Sequence, residues 1–348
     1  MKTPSPLKKG STIGVAAPSF GATTEPYESL FNRSISVLTK RGYTIQPGKC
    51  CFLDDGKGIS TSPEVCAREL EYMYLNPSVD AIISCGGGEC MCETAGYIDF
   101  EKLKNAEPKW FMGYSDNTNF IFPLVTISKT CAVYGPCFPA FGKIWEQCEE
   151  DAFAILENTK NHFEGYEKYQ SPAAANLNPD PFASYVLDET KILTSYLCQN
   201  GKSKLLTSET EIKMQGTLLG GCMDVLSVLS GTRLDNMKQF NAETEGIIWV
   251  LEACDFNVMD IRRNLWHLDQ CGWFEKTRGF IFGRPLNAYR QEMMGVDEYN
   301  AAADILSKYN VPLIFDADIG HIDPALSLIM GKEACVTVKG SYFSVDYN

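Results

Sequence analysis

Histidine is scarce in this chain, with three among 348 residues. That scarcity leaves few ways to build a zinc centre or an imidazole-based acid–base pair. The fourteen cysteines never form a C-x-x-C pair. Cys50 and Cys51 are adjacent, and Cys90-Met91-Cys92 follows Cys85. Zinc spacing is therefore not met, and no structural metal is expected. The cysteines lie in apolar segments such as Leu197-Cys198, Gly221-Cys222 and Ala253-Cys254, as buried free thiols of a reducing compartment do. No apolar run approaches the roughly 18 residues of a membrane-spanning helix. The run from Ile13 to Ala17 is short for a signal peptide and Pro18 ends it, so a cytoplasmic protein is expected. Positive charge is in deficit. A net charge of −13 argues against a nucleic acid polymer, and against an anionic membrane, as partner. Internal repeats and low-complexity tracts are also missing.

What is present reads as alternating strands and helices. Buried strands are predicted at 11–17, 43–45, 79–84 and 111–114, with helices at 27–41, 62–75 and 117–127 between and after them. Pro63 is placed at the first helical position of the second helix. This pattern implies an α/β fold with a parallel sheet. From 162 to 206 the periodicity fades into the turn signals Ser171-Pro172, Asn178-Pro179 and Asp180-Pro181. The expected organisation is an N-terminal domain over 1–161, a linker over 162–206 and a C-terminal domain over 207–348. In the last part, Gly216 to Cys222 reads as an apolar segment opening a helix through Val228. Strands are expected at 246–252 and 279–283, and helices at 260–271 and 297–309.

The chemistry-bearing candidate is Lys109-Trp110-Phe111-Met112-Gly113-Tyr114-Ser115-Asp116-Asn117-Thr118. A strand ending at Gly113 and a helix opening at Asp116, Asn117 and Thr118 would leave Ser115 on a tight turn. Its hydroxyl would be exposed in the manner of a nucleophile elbow, although the G-x-S-x-G spelling is absent. A plain helix N-cap is the other reading of Ser115. Of the three histidines, His162 lies in a charged, turn-rich stretch and His267 lies mid-helix. His321 follows a strand in a loop, where α/β sites are built, and is the candidate base by elimination. Glu252 closes a buried strand and could orient that imidazole, with Asp255 as its competitor. Ser84-Cys85-Gly86-Gly87-Gly88-Glu89 could cradle a phosphate, supply oxyanion-hole N–H groups or form a simple turn.

Gly113 to Thr118, Ser84 to Gly88, Leu251-Glu252 and Asp318-Ile319-Gly320-His321 occur here in one order. Together they resemble the LD-carboxypeptidase family of serine peptidases, which includes the microcin-immunity proteins. The resemblance runs from about residue 11 to about residue 338 and is weakest across 162–206. It implies an N-terminal flavodoxin-like parallel-sheet domain carrying the nucleophile and a C-terminal α/β domain carrying the acid and base, with the active site between them. It implies a Ser115–Glu252–His321 triad, a homodimer and no metal or organic cofactor. Backbone N–H groups of Gly87, Gly88 and Asp116 would form the oxyanion hole. The substrate would be a small peptide, the muropeptide tetrapeptide trimmed at its L-diamino acid–D-alanine bond. In the immunity branch it would be a peptidyl or aminoacyl nucleotide. An α/β-hydrolase esterase shares the Ser–acid–His order, and a non-catalytic nucleotide-binding module would use the glycine loop differently.

Overall fold

A computed structural model describes residues 1–177 and 179–347. The chain divides into two compact units, one of Met1–Lys160, Asn178–Ser184 and Ser327–Gly331, the other of Asn161–Leu177, Tyr185–Leu326 and Lys332–Asn348. Among the described residues no helix is long and apolar enough to cross a membrane.

The first unit holds β1 (Thr12–Ala16), β2 (Thr44–Pro47), β3 (Ala81–Ser84), β4 (Trp110–Gly113) and β5 (Ala132–Tyr134). All neighbouring pairs among them are parallel, in the order β2-β1-β3-β4-β5. That is the flavodoxin-like order, expected from the resemblance. The sequence reason is local. The strands Ala81–Ser84 and Trp110–Gly113 are buried throughout, as strands covered on both faces must be. The intervening helix Pro63–Leu75 starts on a proline, whose missing N–H costs nothing in a first turn. Gly14 in β1 leaves room for Val79, just ahead of β3, and for Met73 of that helix, since a Cβ there would lie 3.0 Å from Val79 Cγ1 and 3.4 Å from Met73 Sδ. A sixth strand, Leu328–Met330, arrives from far along the chain and pairs antiparallel with β5.

The second unit is a nine-stranded sheet. Its parallel centre runs through Glu211–Cys222, Ile247–Glu252, Thr277–Gly283 and Pro312–Ala317. Antiparallel strands extend both sides. Thr194–Gln199 and Lys202–Leu205 continue from Pro312–Ala317, while Glu333–Lys339, Tyr342–Tyr347 and His162–Glu164 continue from Glu211–Cys222.

Three expectations change here. Gly216 to Cys222 belongs to a strand, and the helix begins only at Met223. Gly220 is there because neighbouring backbone approaches closely: a Cβ on it would stand 1.9 Å from Val250 O. The stretch 162–206 is also more than a connection, for it supplies three strands of the nine-stranded sheet. Its proline-containing turn signals cluster between Pro172 and Pro181, ahead of the strand Thr194–Gln199, where Cys198 alone is buried and no clean alternation shows. The expected helix over 297–309 is shorter, Asn300–Leu306, followed by a 3₁₀ turn Ser307–Tyr309.

Candidate active site

In the first unit, β4 ends at Gly113 and a 3₁₀ turn Ser115–Asn117 leads into the helix Thr118–Thr126. Ser115 has φ +62°, a left-handed conformation that costs a non-glycine residue on the order of 1–3 kcal/mol. Such strain at the end of a buried strand is the backbone signature of an elbow. A plain N-cap would take extended backbone angles. The surroundings hold the strain in place. The Ser115 N–H donates to Tyr134 Oη at 3.1 Å. Asn117 Nδ2 donates to the Tyr114 carbonyl and to the Gly86 carbonyl, each at 3.0 Å. Gly113 is needed because a Cβ there would lie 2.8 Å from Asn117 Cγ.

The glycine loop lies against this turn. A Cβ on Gly87 would sit 3.3 Å from Ser115 Cβ and 3.4 Å from its Oγ. The Gly86 carbonyl also accepts from Ser84 Oγ at 2.9 Å, and the Gly87 carbonyl accepts from the Phe20 N–H at 3.1 Å. In a trans peptide the N–H points opposite the C=O, so these bonds turn the Gly87 and Gly88 N–H groups away from Asn117, Ser84 and Phe20. Asp116 joins the two pieces. Its buried carboxylate accepts from Ser19 Oγ at 2.6 Å, the Met91 N–H at 2.9 Å and Asn119 Nδ2 at 2.8 Å. Burial raises its pKa, and these three donors oppose the rise.

In the second unit, Glu252 ends the strand Ile247–Glu252 with a fully buried side chain. His321 lies in the loop after Pro312–Ala317, with its side chain 11% exposed. His321 Nδ1 and Glu252 Oε2 are 2.7 Å apart. This bond separates Glu252 from Asp255, which is exposed and whose N–H donates to Asp224. Burial lowers the proton affinity of the imidazole. The Glu252 carboxylate, helped by Cys254, more than offsets it, and the pKa of His321 is raised. Two glycines make the approach possible. Gly320 has φ +97°, and a Cβ there would lie 2.6 Å from Glu252 Oε2. A Cβ on Gly283 would lie 2.1 Å from the Ile319 carbonyl and 3.1 Å from Glu252 Cβ.

The other histidines are accounted for. His162 Nδ1 lies 2.7 Å from Asp346 Oδ1, and hydrogen bonds to Asp346 and Glu164 raise its pKa. His267 stands on the helix Val258–Gln270 with Nε2 3.8 Å from Cys271 Sγ. Two residues escaped the sequence reading. Asp224 accepts from the N–H groups of Cys254, Asp255 and Phe256 at 3.0–3.1 Å, fixing the loop after Glu252. Its only signal was an acid in the first turn after Cys222. Tyr134, the anchor of the Ser115 N–H, had none. Arg284 and Arg263, two arginines near strand ends, are each engaged by an acid, Arg284 by Asp318 and Arg263 by Asp260.

Residues 13–135 match the family model described as the LD-carboxypeptidase N-terminal domain, and residues 215–336 match that of the LD-carboxypeptidase C-terminal domain. The chain is 24% identical to a Vibrio cholerae protein provisionally named a carboxypeptidase, across 98% of this chain and 96% of that one. It is 23% identical to the microcin C7 self-immunity protein MccF of Escherichia coli, across 98% and 94%. Among solved structures, MccF in complex with glutamyl sulfamoyl guanosine matches with a TM-score of 0.75 at 19% identity, covering 99% of this chain and 98% of that one. An MccF-like protein from Bacillus anthracis matches with a TM-score of 0.72 at 20% identity over the whole of both chains. At these identities the structural likeness carries the fold.

Proposed function

The chain belongs to the LD-carboxypeptidase family, and from that premise we propose a serine carboxypeptidase with Ser115 as nucleophile, His321 as base and Glu252 as its orienting acid. The observation that carries the reading is the 2.7 Å bond between His321 Nδ1 and a buried Glu252. With Nδ1–H donated to the carboxylate, Nε2 is left to accept the Ser115 proton and later to deliver it to the leaving amine. Glu252 then stabilises the imidazolium. The strained φ of Ser115 supports the nucleophile assignment. The N–H groups of Gly87, Gly88 and Asp116 are the proposed oxyanion donors, because the Ser115 N–H is taken by Tyr134. The mechanism requires Ser115 Oγ and His321 Nε2 to come within about 3 Å in the working enzyme.

The proposed substrate is the L-diamino acid–D-alanine amide of a muropeptide tetrapeptide. A second reading, hydrolysis of a peptidyl or aminoacyl nucleotide, is favoured by the near full-length likeness to MccF. A cytoplasmic homodimer without cofactor remains the working form. Incubation with the muropeptide tetrapeptide and, separately, with an aminoacyl sulfamoyl adenosine, read by mass spectrometry, decides between them. Release of D-alanine alone supports the first reading, and release of the amino acid from the nucleoside supports the second. Turnover of neither, by folded protein, contradicts both.

A further inference from the structure

We propose that Lys191, Asp318 and Arg284 are positioning residues for His321, a buried ionic cluster that fixes the loop carrying the imidazole. The inference rests on the assignment of His321 as the base. Asp318 directly follows the strand Pro312–Ala317 and precedes His321 by three residues. Its backbone carbonyl accepts the Leu326 N–H at 2.7 Å, closing the loop 318–326 at its foot. Its carboxylate, 1% exposed, gathers donors from three separate segments. Arg284 Nη2 reaches Oδ1 at 2.6 Å. Lys191 Nζ reaches Oδ2 at 2.9 Å, and the Tyr166 N–H reaches it at 2.8 Å.

Both cations are buried as well, each with a side chain 3% exposed. Arg284 leaves the strand Thr277–Gly283, gives Nη1 to the Asp316 carbonyl at 2.6 Å and lies 4.0 Å from the Tyr169 ring centroid. Gly165 makes room for the cluster, for a Cβ there would lie 2.5 Å from Lys191 Nζ and 2.6 Å from Asp318 Oδ2.

A buried ion cluster is a poor device for stability alone, because well-packed apolar side chains commonly do as well. What it supplies is one fixed geometry. The beneficiary here is the loop 318–326. Loops are the least rigid part of a scaffold, and a catalytic group must be held to about 0.5 Å. The stretch 162–206 thereby gains a role, since it contributes Lys191, Tyr166 and Gly165.

Lys191→Met tests this in the full chain, because Asp318 keeps Arg284 and the Tyr166 N–H as partners. kcat should fall about tenfold with KM little changed, as a small misplacement of a catalytic group requires. The downfield Nδ1 proton of His321 should broaden or shift in the NMR spectrum, and amide exchange across 318–326 should quicken. Lys191→Arg should restore most of each. Arg284→Lys, which keeps the charge and loses the fork, should act in the same direction and serves if Lys191→Met fails to fold. Folded variants with native kcat, native Nδ1 signal and native exchange would overturn the proposal. Undiminished activity of His321→Ala would instead overturn the base assignment, and the exchange measurement would still decide whether the cluster holds the loop.

Discussion

The Ser115 turn and the His321–Glu252 pair are built by different physics. Ser115 is set by the backbone: a left-handed φ, a glycine beneath it at 113 and a glycine loop against it. Around it, two glycine-loop carbonyls are fixed by neutral donors, Asn117, Ser84 and the Phe20 N–H. His321 is set by charge: a buried carboxylate on Nδ1, and a second buried carboxylate, Asp318, at the foot of its loop. Backbone geometry tolerates little change in shape, and the carboxylate beside it, Asp116, is buried among three donors. A charge-built site responds to every lost charge, and here it also relies on Gly320 and Gly283 for the close approach. Neutralising Glu252 should therefore act on the second half through charge, and a methyl on the glycine loop should act on the first through shape.

Glu252→Gln has the larger expected effect. Size is kept, but a neutral amide can neither stabilise the imidazolium nor enforce the tautomer, so kcat should fall by about 10⁴. The pH profile should move with it. The base works unprotonated, and Glu252 raises its pKa, so the acid limb of kcat/KM should lie above the ordinary imidazole value and drop toward it in the variant. Steady-state kinetics across pH would check both effects. A rate near wild type would move the orienting role elsewhere, with Asp255→Asn as the comparison.

Gly87→Ala is the shape-only counterpart, and its effect should be smaller. The added methyl would press on Ser115 at 3.3–3.4 Å, a displacement of a few tenths of an ångström. kcat should fall about tenfold without a change in the acid limb. A shifted limb would erase the distinction between the halves.

The sequence made the first half legible because its signals are local. A strand, a glycine, a serine and a helix start are contiguous, and the parallel strands alternate with helices in order. The pairing of Glu252 with His321 was suggested by one residue closing a strand and the other following one, and the 2.7 Å contact favours Glu252 over Asp255. What stayed hidden depends on distant partners. Leu328–Met330 pairs with a strand nearly two hundred residues earlier, and nothing near it in sequence says so. Gly220, in a segment that reads as the opening of a helix, reveals a strand only once Val250 is seen against it. Lys191 is one lysine in a polar stretch, and its burial on Asp318 has no local signature.

The central claim is that Ser115 is a nucleophile activated by His321. An active-site-directed fluorophosphonate reports on it directly, by peptide mass spectrometry of the labelled chain. One adduct is expected, on Ser115, formed quickly by the wild-type protein and lost or greatly slowed in His321→Ala. An adduct on another residue, or equal labelling of Ser115 without His321, would contradict it.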